Sequence, residues 1–196
     1  MAHPHLVSSA DTGLLVIDVQ EKLFHMVIRN EAVERDILFM IDAAQAVNIP
    51  ILATEQYPKG LGGTISSVAS KLSGPKPDKL SFSCCGNPEV VQFFKKEVRP
   101  KLILIGIETH VCVQQTALDL LTHGFEVFLP VDAVSCRYPL DHHTGLRRME
   151  QAGVVLTTVE ALAFELVGAA GTPEFKTISK LVQERMKHLA ANAVNH

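Results

Sequence analysis

The sequence predicts an α/β fold: a three-layer, doubly wound, Rossmann-like sheet of mostly parallel strands with helices on both faces. Short runs of Val, Ile and Leu alternate along the chain with longer segments of helical periodicity. The short runs are largely apolar on both faces, as in parallel strands that are covered on both sides. A length of 196 residues suffices for one sizeable core, so we expect a single domain over residues 1–196.

Five apolar runs and one strand-like stretch mark the expected strands. The apolar runs cover residues 14–17, 49–53, 102–105, 125–131 and 154–156. The strand-like stretch covers residues 80–83, directly after Lys79. Their length and their content of β-branched and aliphatic residues are typical of buried strands.

Helical spacing of apolar residues predicts the helices between these strands. They cover residues 31–48, 110–123, 140–151, 158–167 and 173–189, with a further helix beginning at Asn87-Pro88 and a short one at residues 65–72. Gly124 and Gly153 each follow a predicted helix, where glycine commonly ends it. The last helix interleaves apolar with basic residues, which predicts a solvated basic face made of Lys176, Lys180, Arg185 and Lys187.

The composition excludes several classes of protein. Hydrophobic residues make up 47% of the chain and charged residues 20%, which excludes disordered, collagen-like and disulfide-scaffold chains. Eighteen basic against 21 acidic residues give a net charge of −3, and the chain has two tyrosines and no tryptophan for base stacking. Both features argue against a nucleic-acid partner. No apolar run reaches the roughly 18 residues of a spanning helix, so we expect no membrane partner.

The N-terminal residues and the cysteines indicate the subcellular localisation. Residues 1–9 have no charged region before an apolar stretch, which argues against a secretory signal. They contain no arginine, although Ser8 and Ser9 leave a mitochondrial presequence open. Four cysteines in a chain of this length indicate free thiols in a reducing compartment, so we expect a cytoplasmic protein.

Polar residues follow the predicted strands at the edge where an open parallel sheet binds ligands. In chain order they are Asp18, Glu55-Gln56-Tyr57, Cys112 and Asp132. A helix N-terminus lowers the pKa of a thiol and offers amide groups to an oxyanion, so Cys112 is a candidate nucleophile. Asp18 is a candidate general base. By position alone, a buried core role for Cys112 and a capping role for Asp18 fit as well.

Other reactive residues are less informative by position. Lys79 has the character of a solvated surface charge. Cys84 and Cys85 are adjacent and poorly placed to bind one metal together, so we expect loop or core residues there. Cys136 and His110 are each placed either to line a pocket or to fill a structural position.

Five stretches of the sequence resemble the isochorismatase-like hydrolase family, also called the cysteine hydrolases. They are residues 15–20, 54–58, 79–83, 106–113 and 131–133, and they follow the family's order over nearly the whole chain. Residues 54–58 and 172–176 look most like the isochorismatase domain-containing proteins of eukaryotes and their bacterial relatives.

The resemblance implies a catalytic triad of Asp18, Lys79 and Cys112 in a six-stranded sheet, within a homo-oligomer that acts on a small molecule. It also implies a non-proline cis peptide bond, which we place at His110–Val111. The amides of Val111 and Cys112 would then form an oxyanion hole. The residues expected to contact the substrate are Glu55, Gln56, Tyr57, Phe82 and His110.

This chain differs from two better-known branches of the family, and both differences restrict the reactions that we expect. Nicotinamidases carry an Asp-x-His metal motif where this chain has Glu55-Gln56-Tyr57, so we expect no metal and no cofactor. Isochorismatases proper cleave a vinyl ether without needing the cysteine, so the presence of Cys112 favours acyl chemistry.

Three functions follow as hypotheses. The leading one is metal-independent hydrolysis of a small amide or related C–N bond by Cys112, with Asp18 and Lys79. The second is enol-ether hydrolysis of the isochorismatase type, with Asp18 as general acid and Cys112 a bystander. The third is a binding or assembly module whose triad is idle.

Overall fold

Seven strands form one sheet in the part of the chain that the computed structural model describes, residues 3–74 and 76–193. They are β1 (Thr12–Ile17), β2 (Ile51–Gln56), β3 (Asp78–Lys79), β4 (Lys101–Ile107), β5 (Glu126–Pro130), β6 (Val134–Ser135) and β7 (Val155–Thr157). Their order is β3-β2-β1-β4-β5-β7, and β6 pairs with the end of β4. Every pairing is parallel. The carboxyl ends of the strands therefore meet at one edge.

The chain reverses its direction of winding between β1 and β4, which are neighbours in the sheet. It runs outward from β1 to β3 on one side and then from β4 to β7 on the other. Ligands of open α/β sheets bind outside the carboxyl ends at such a reversal. The fold thus places the residues after β1 and β4, Asp18 and Glu108–Cys112, at the expected binding position.

The sheet is buried on both faces because its side chains alternate between two cores. In β1, Leu14 and Val16 lie in one core, whereas Leu15 and Ile17 lie in the other. In β4, the same alternation puts Ile103 and Ile105 opposite Leu102 and Leu104. This arrangement confirms the three-layer α/β fold that the apolar runs predict.

Helices cover both faces of the sheet. They are α1 (Glu21–Phe24), α2 (Asn30–Ala46), α3 (Pro58–Leu61), α4 (Ser66–Ala69), α5 (Pro88–Lys96), α6 (Gln114–Thr122), α7 (Pro139–Gln151), α8 (Val159–Val167) and α9 (Pro173–Ala193). Side chains of α2, α8 and α9 fill the core that holds Leu14, and those of α5, α6 and α7 fill the core that holds Leu15. Within the described ranges, we find no helix with the length and hydrophobicity needed to span a bilayer.

The predicted elements differ from the structure in several places, and they do not include the short helices α1 and α3. Residues 80–83 are not a strand: the strand is β3, and the chain then curls around the Lys79 ammonium, which donates to the carbonyls of Ser81 and Phe82. The helix predicted over 110–123 begins as a π-helical turn, Thr109–Val113, before α6. The predicted six strands become seven because β6 has two residues, too few to show a periodicity.

The basic face predicted for the last helix is wrong at Arg185. Its guanidinium donates to Asp36 of α2 at 2.9 Å, to Glu160 of α8 at 3.1 Å and to Asp132 at 3.2 Å. Ile178 is buried on the same helix, so α9 is held against its own domain by an apolar contact and by this charge network. The Asp132 carboxylate is therefore part of this network, and it also accepts from the Val159 amide at 3.0 Å.

Candidate active site

Asp18 and Lys79 form a buried ion pair at the carboxyl edge of the sheet. Asp18 follows β1, and Lys79 ends β3, two strands away, so the lysine side chain reaches across β2. The Nζ of Lys79 lies 2.6 Å from the Oδ2 of Asp18, and each side chain is 1% exposed. Charges removed from water to this degree require further hydrogen-bond partners.

The Lys79 ammonium has such partners. It donates to the Oε1 of Gln56 at 2.7 Å and to the carbonyls of Phe82 and Ser81 at 3.0 and 3.3 Å. Burial alone would lower the pKa of Lys79, but Cys84 and then Asp18 and Cys112 raise it overall, and Asp18 also accepts a hydrogen bond from the ammonium. The partners of the Lys79 nitrogen are all acceptors, which suits a protonated ammonium rather than a proton acceptor.

The second carboxylate oxygen of Asp18 is held by Thr54. The Thr54 hydroxyl donates to Oδ1 at 2.8 Å, and the Asp18 amide donates to the Thr54 carbonyl at 3.3 Å. Asp18 adopts a left-handed backbone conformation, with φ of 50°, which Asp tolerates better than most residues and which is frequent at functional sites. Both oxygens are thus oriented before any substrate binds.

Cys112 lies on the π-helical turn that precedes α6, with its thiol beside the Asp18 carboxylate. Burial raises the pKa of the Cys112 thiol far above its ordinary value, and the charge of Asp18 adds to the shift, whereas Lys79 opposes it. The expectation of a thiol pKa lowered by the helix N-terminus is therefore wrong, because desolvation and the carboxylate outweigh the helix and the lysine. This shift favours the neutral thiol of Cys112 over the thiolate.

Cys84 lies in the core beside the candidate site, in agreement with the expected loop or core role. It is fully buried, its Sγ lies 3.4 Å from the Oγ1 of Thr54, and its amide donates to the Oγ1 of Thr116 at 2.9 Å. Burial raises the pKa of its thiol to about 12. It begins a 3-10 turn, Cys84–Gly86, and a residue in an irregular segment has no periodicity that would mark it as part of a site.

Two of the residues predicted to contact substrate are bound to the protein itself. The Glu55 carboxylate accepts from the amide and the hydroxyl of Thr64 at 2.8 and 2.7 Å. Gln56 accepts from Lys79 through Oε1 and donates through Nε2 to the Leu80 carbonyl at 2.9 Å. Gln56 thus holds Lys79 in place, and its direct contact with substrate stays a prediction.

Tyr57 and Phe82 follow the two strands β2 and β3 and are half-exposed. They have free aromatic surface at the edge of the sheet that carries Asp18, and they stay candidates for substrate contact. His110 follows β4, which lies on the opposite side of β1 from β2 and β3, and its Nε2 is 3.7 Å from the Oδ2 of Asp141. Its Nδ1 is buried and has no hydrogen-bond partner among the described residues, so His110 retains an unused polar atom.

The expected oxyanion hole needs correction. The Val111 amide donates to the Glu108 carbonyl at 3.0 Å, because it belongs to the hydrogen bonding of the helical turn, and it is not free to bind an oxyanion. The cis peptide bond lies at Ile107–Glu108, at the end of β4, and not at His110–Val111, which is inside that turn. Of the two predicted donors, the Cys112 amide stays a candidate.

Metal binding and the remaining cysteines add little to the site. In residues 3–74 and 76–193, no three side chains of the His, Cys, Asp and Glu types are grouped so that they would hold a metal ion. Cys136 is buried, and its thiol donates to the Tyr138 carbonyl at 3.2 Å. Cys85 is only partly buried.

Comparisons with known proteins agree on one family. Residues 12–161 match the isochorismatase domain. The secreted isochorismatase effector Isc1 of Phytophthora sojae is 39% identical over 89% of this chain and 85% of its own length. Isochorismatase domain-containing protein 2 of Bos taurus is 41% identical over 87% of this chain and 82% of its own. The solved structure of the MAR1 ribonuclease from Caenorhabditis elegans is 40% identical, has a TM-score of 0.84, and covers 91% of this chain and 92% of that one.

Proposed function

The chain belongs to the isochorismatase family, and from that premise we propose that it hydrolyses a small amide or related C–N bond with Cys112 as nucleophile and without a metal. The observation that carries the proposal is the buried ion pair of Asp18 and Lys79 at the reversal point of the sheet, where Cys112 follows the neighbouring strand β4. A thiol, a carboxylate and a fixed cation at one buried point supply a nucleophile, a base and charge compensation.

In the first step, Asp18 accepts the proton of the Cys112 thiol as the sulfur attacks the carbonyl carbon. A C–S bond forms and the carbonyl electron pair moves to oxygen, where the Cys112 amide is the candidate donor. Lys79 keeps its proton throughout and stabilises Asp18 before the transfer.

In the second step, the C–N bond breaks and the proton on Asp18 passes to the leaving amine. The acyl group now forms a thioester with Cys112. Asp18, again a carboxylate, removes a proton from water as the water attacks that thioester. The C–S bond then breaks, the acid leaves, and the proton returns to the sulfur, so the three side chains end as they began.

Turnover of a panel of small amides by the wild type, Cys112→Ala and Cys85→Ala tests this proposal. Cys85 is the matched control because it is a partly buried thiol one residue beyond Cys84, and Asp18 is not among the groups that shift its pKa. We expect Cys112→Ala to lose at least about 10³-fold in kcat with an unchanged melting temperature, as for other catalytic nucleophiles. The mass of an acyl group should appear on Cys112 alone in intact-mass spectra. Full turnover by Cys112→Ala would eliminate the nucleophile assignment.

Two further activities are arms of the same experiment because the names of related proteins suggest them. The relative from Phytophthora sojae is called an isochorismatase effector, so isochorismate, an enol ether, is the second substrate. Its cleavage with Asp18 as general acid would survive in Cys112→Ala and disappear in Asp18→Asn. The Caenorhabditis elegans protein is called a ribonuclease, so labelled RNA is a third substrate. If the wild type leaves all three substrates intact and Cys112 unlabelled, the idle binding module becomes the better description.

We also propose that the chain forms a homo-oligomer. Leu80, Tyr138 and Leu140 are apolar side chains exposed by 60% or more after the strands β3 and β6, and we assign the contact between subunits to this surface. Light scattering after size exclusion would contradict the proposal by finding a 21.4 kDa species.

The cytoplasmic localisation of the protein stays a prediction, for which fractionation of cells that express a tagged chain is the test.

A further inference from the structure

The Thr54 hydroxyl lies between the Asp18 carboxylate and the Cys84 thiol. It is 2.8 Å from the Oδ1 of Asp18 and 3.4 Å from the Sγ of Cys84. A hydroxyl has one proton, and a carboxylate can only accept. The Thr54 proton therefore points to Asp18, and Cys84 is the donor in the contact between the thiol and the hydroxyl.

The environment of Cys84 keeps it in the protonated form that this direction requires. The side chain is fully buried, and Thr54 is 1% exposed. Burial, followed by the nearby Asp18 charge, raises the pKa of the Cys84 thiol to about 12. At neutral pH the chain of donors thus runs from Cys84 through Thr54 to Asp18.

Cys84 is also attached to the helix that follows the nucleophile. Its backbone amide donates to the Oγ1 of Thr116 at 2.9 Å, and Thr116 lies one helical turn beyond Cys112. Strand β2, which carries Thr54, and helix α6, which follows Cys112, therefore meet at one residue. Hydrogen bonds in such a chain polarise one another, so a donor to Thr54 strengthens the bond from Thr54 to Asp18.

We infer that Cys84 is a positioning residue of this site: through Thr54 it fixes the Asp18 carboxylate for proton transfer with Cys112, and through its amide it fixes the helix that follows Cys112. The consequence for catalysis rests on the proposed hydrolase function. The hydrogen-bond relay from Cys84 through Thr54 to Asp18 does not depend on that function. It determines where the Asp18 charge lies relative to the Cys112 thiol, and this position can be tested without turnover.

The test compares Cys84→Ala and Cys84→Ser with Cys85→Ala as the neighbouring control. We expect Cys84→Ala to lower kcat about 10-fold with KM within about twofold, a loss in the range that misplacement of a catalytic group causes. Cys84→Ser should recover most of kcat because its hydroxyl can donate to Thr54. In a Thr54→Val background, Cys84→Ala should cost nothing further, since the relay is already broken.

A second readout works without turnover. The Asp18 charge disfavours the Cys112 thiolate, so an Asp18 that has moved away should let Cys112 react with iodoacetamide at lower pH. We expect the midpoint of the alkylation rate against pH to fall in Cys84→Ala and to stay at the wild-type value in Cys84→Ser and Cys85→Ala.

The outcomes separate the two proposals. A shifted alkylation midpoint in a protein that turns over none of the amides would support the relay and reject the hydrolase. Turnover and alkylation in Cys84→Ala that equal those of the wild type would overturn the relay, as would equal losses in Cys84→Ala and Cys84→Ser. A lower melting temperature with unchanged kcat and midpoint would reduce Cys84 to a packing residue.

Discussion

The Lys79 ammonium and the Asp18 carboxylate, 61 residues apart in the chain, lie 2.6 Å from each other with both side chains almost entirely buried. The pair joins β1 to β3 across the intervening strand β2, where Gln56 accepts a further hydrogen bond from the ammonium. The stability of this edge of the sheet and the chemistry of Cys112 therefore depend on the same two charges.

Lys79→Met should destabilise the protein by about 3–5 kcal/mol, because it leaves the Asp18 carboxylate buried without its cation. The free energy of unfolding in urea measures the loss, and adding Asp18→Asn to the variant should restore part of it. Lys71→Met is the control: it removes a partly exposed pair with Asp42, which is worth about 1 kcal/mol or less. Equal losses in the two lysine variants would contradict the importance of the buried pair.

Asp18→Asn should make Cys112 more reactive towards iodoacetamide at a given pH, even as turnover disappears. Removing the negative charge takes away one cause of the raised thiol pKa and leaves Lys79, which lowers it, so the alkaline midpoint moves to lower pH. Intact-mass spectra across the alkaline range follow the reaction, with Asp42→Asn as a remote charge control. A wild-type rate already at its plateau near neutral pH would show that Cys112 is a resting thiolate instead.

Gln56→Leu should lower kcat about 10-fold and stability by about 1–3 kcal/mol. The change removes one acceptor of the Lys79 ammonium and the side-chain donor to the Leu80 carbonyl. These two hydrogen bonds hold the end of β3 in place. Gln45→Leu breaks an exposed hydrogen bond to the Lys71 carbonyl and serves as the matched control. Steady-state kinetics and urea unfolding test both effects, and a Gln56→Leu enzyme with normal kcat would limit Gln56 to a structural role.

Gly106→Ala should abolish folding or cost more than about 4 kcal/mol. Gly106 has φ of +123°, and a Cβ on it would lie 2.1 Å from the carbonyl oxygen of Ile17, on the neighbouring strand β1. Gly153 also has a positive φ, +103°, but a Cβ there meets nothing within 4 Å, so Gly153→Ala should cost only about 1–2 kcal/mol. Circular dichroism and thermal melting distinguish the two, and similar melting temperatures would contradict the close approach of β1 and β4.

Arg185→Ala should destabilise the protein by about 2 kcal/mol and leave kcat unchanged. Arg185 donates to carboxylates of three different segments, and hydrogen bonds to charged groups contribute more than neutral ones. Lys180→Ala, on the same helix, removes an exposed contact of 3.9 Å with Glu184 and should change stability by less than about 0.5 kcal/mol. A fall in kcat without loss of stability would show that this network communicates with the site.

The fold is predictable from the sequence because buried strands and helices have characteristic local patterns of apolar residues. Runs that are apolar on both faces, such as residues 102–105, predict strands between two layers, and helical spacing predicts the covering helices. The parallel arrangement then puts residues that follow strands at one edge, which makes Asp18 and Cys112 candidates by their positions in the chain. Membership of the family is confirmed by the match over residues 12–161.

Lys79, Cys84 and Thr54 cannot be placed by the same reasoning. By position Lys79 has the character of a surface charge, and only the family resemblance makes it a site residue. Cys84 lies in an irregular segment, and its contact with Thr54 joins residues 30 positions apart. Such contacts depend on strand order and on the path of the chain after β3, and neither is encoded in a local pattern.

The sequence by itself thus determined the α/β class, the edge of the sheet that carries the site, and two of its candidate residues. Only the tertiary structure decided that Lys79 reaches across β2 to Asp18, that the Val111 amide is already occupied, and that burial raises the pKa of the Cys112 thiol. The physical reason is that burial and the distances between charges set pKa values and hydrogen-bond partners, and both arise only when segments distant in the chain come together.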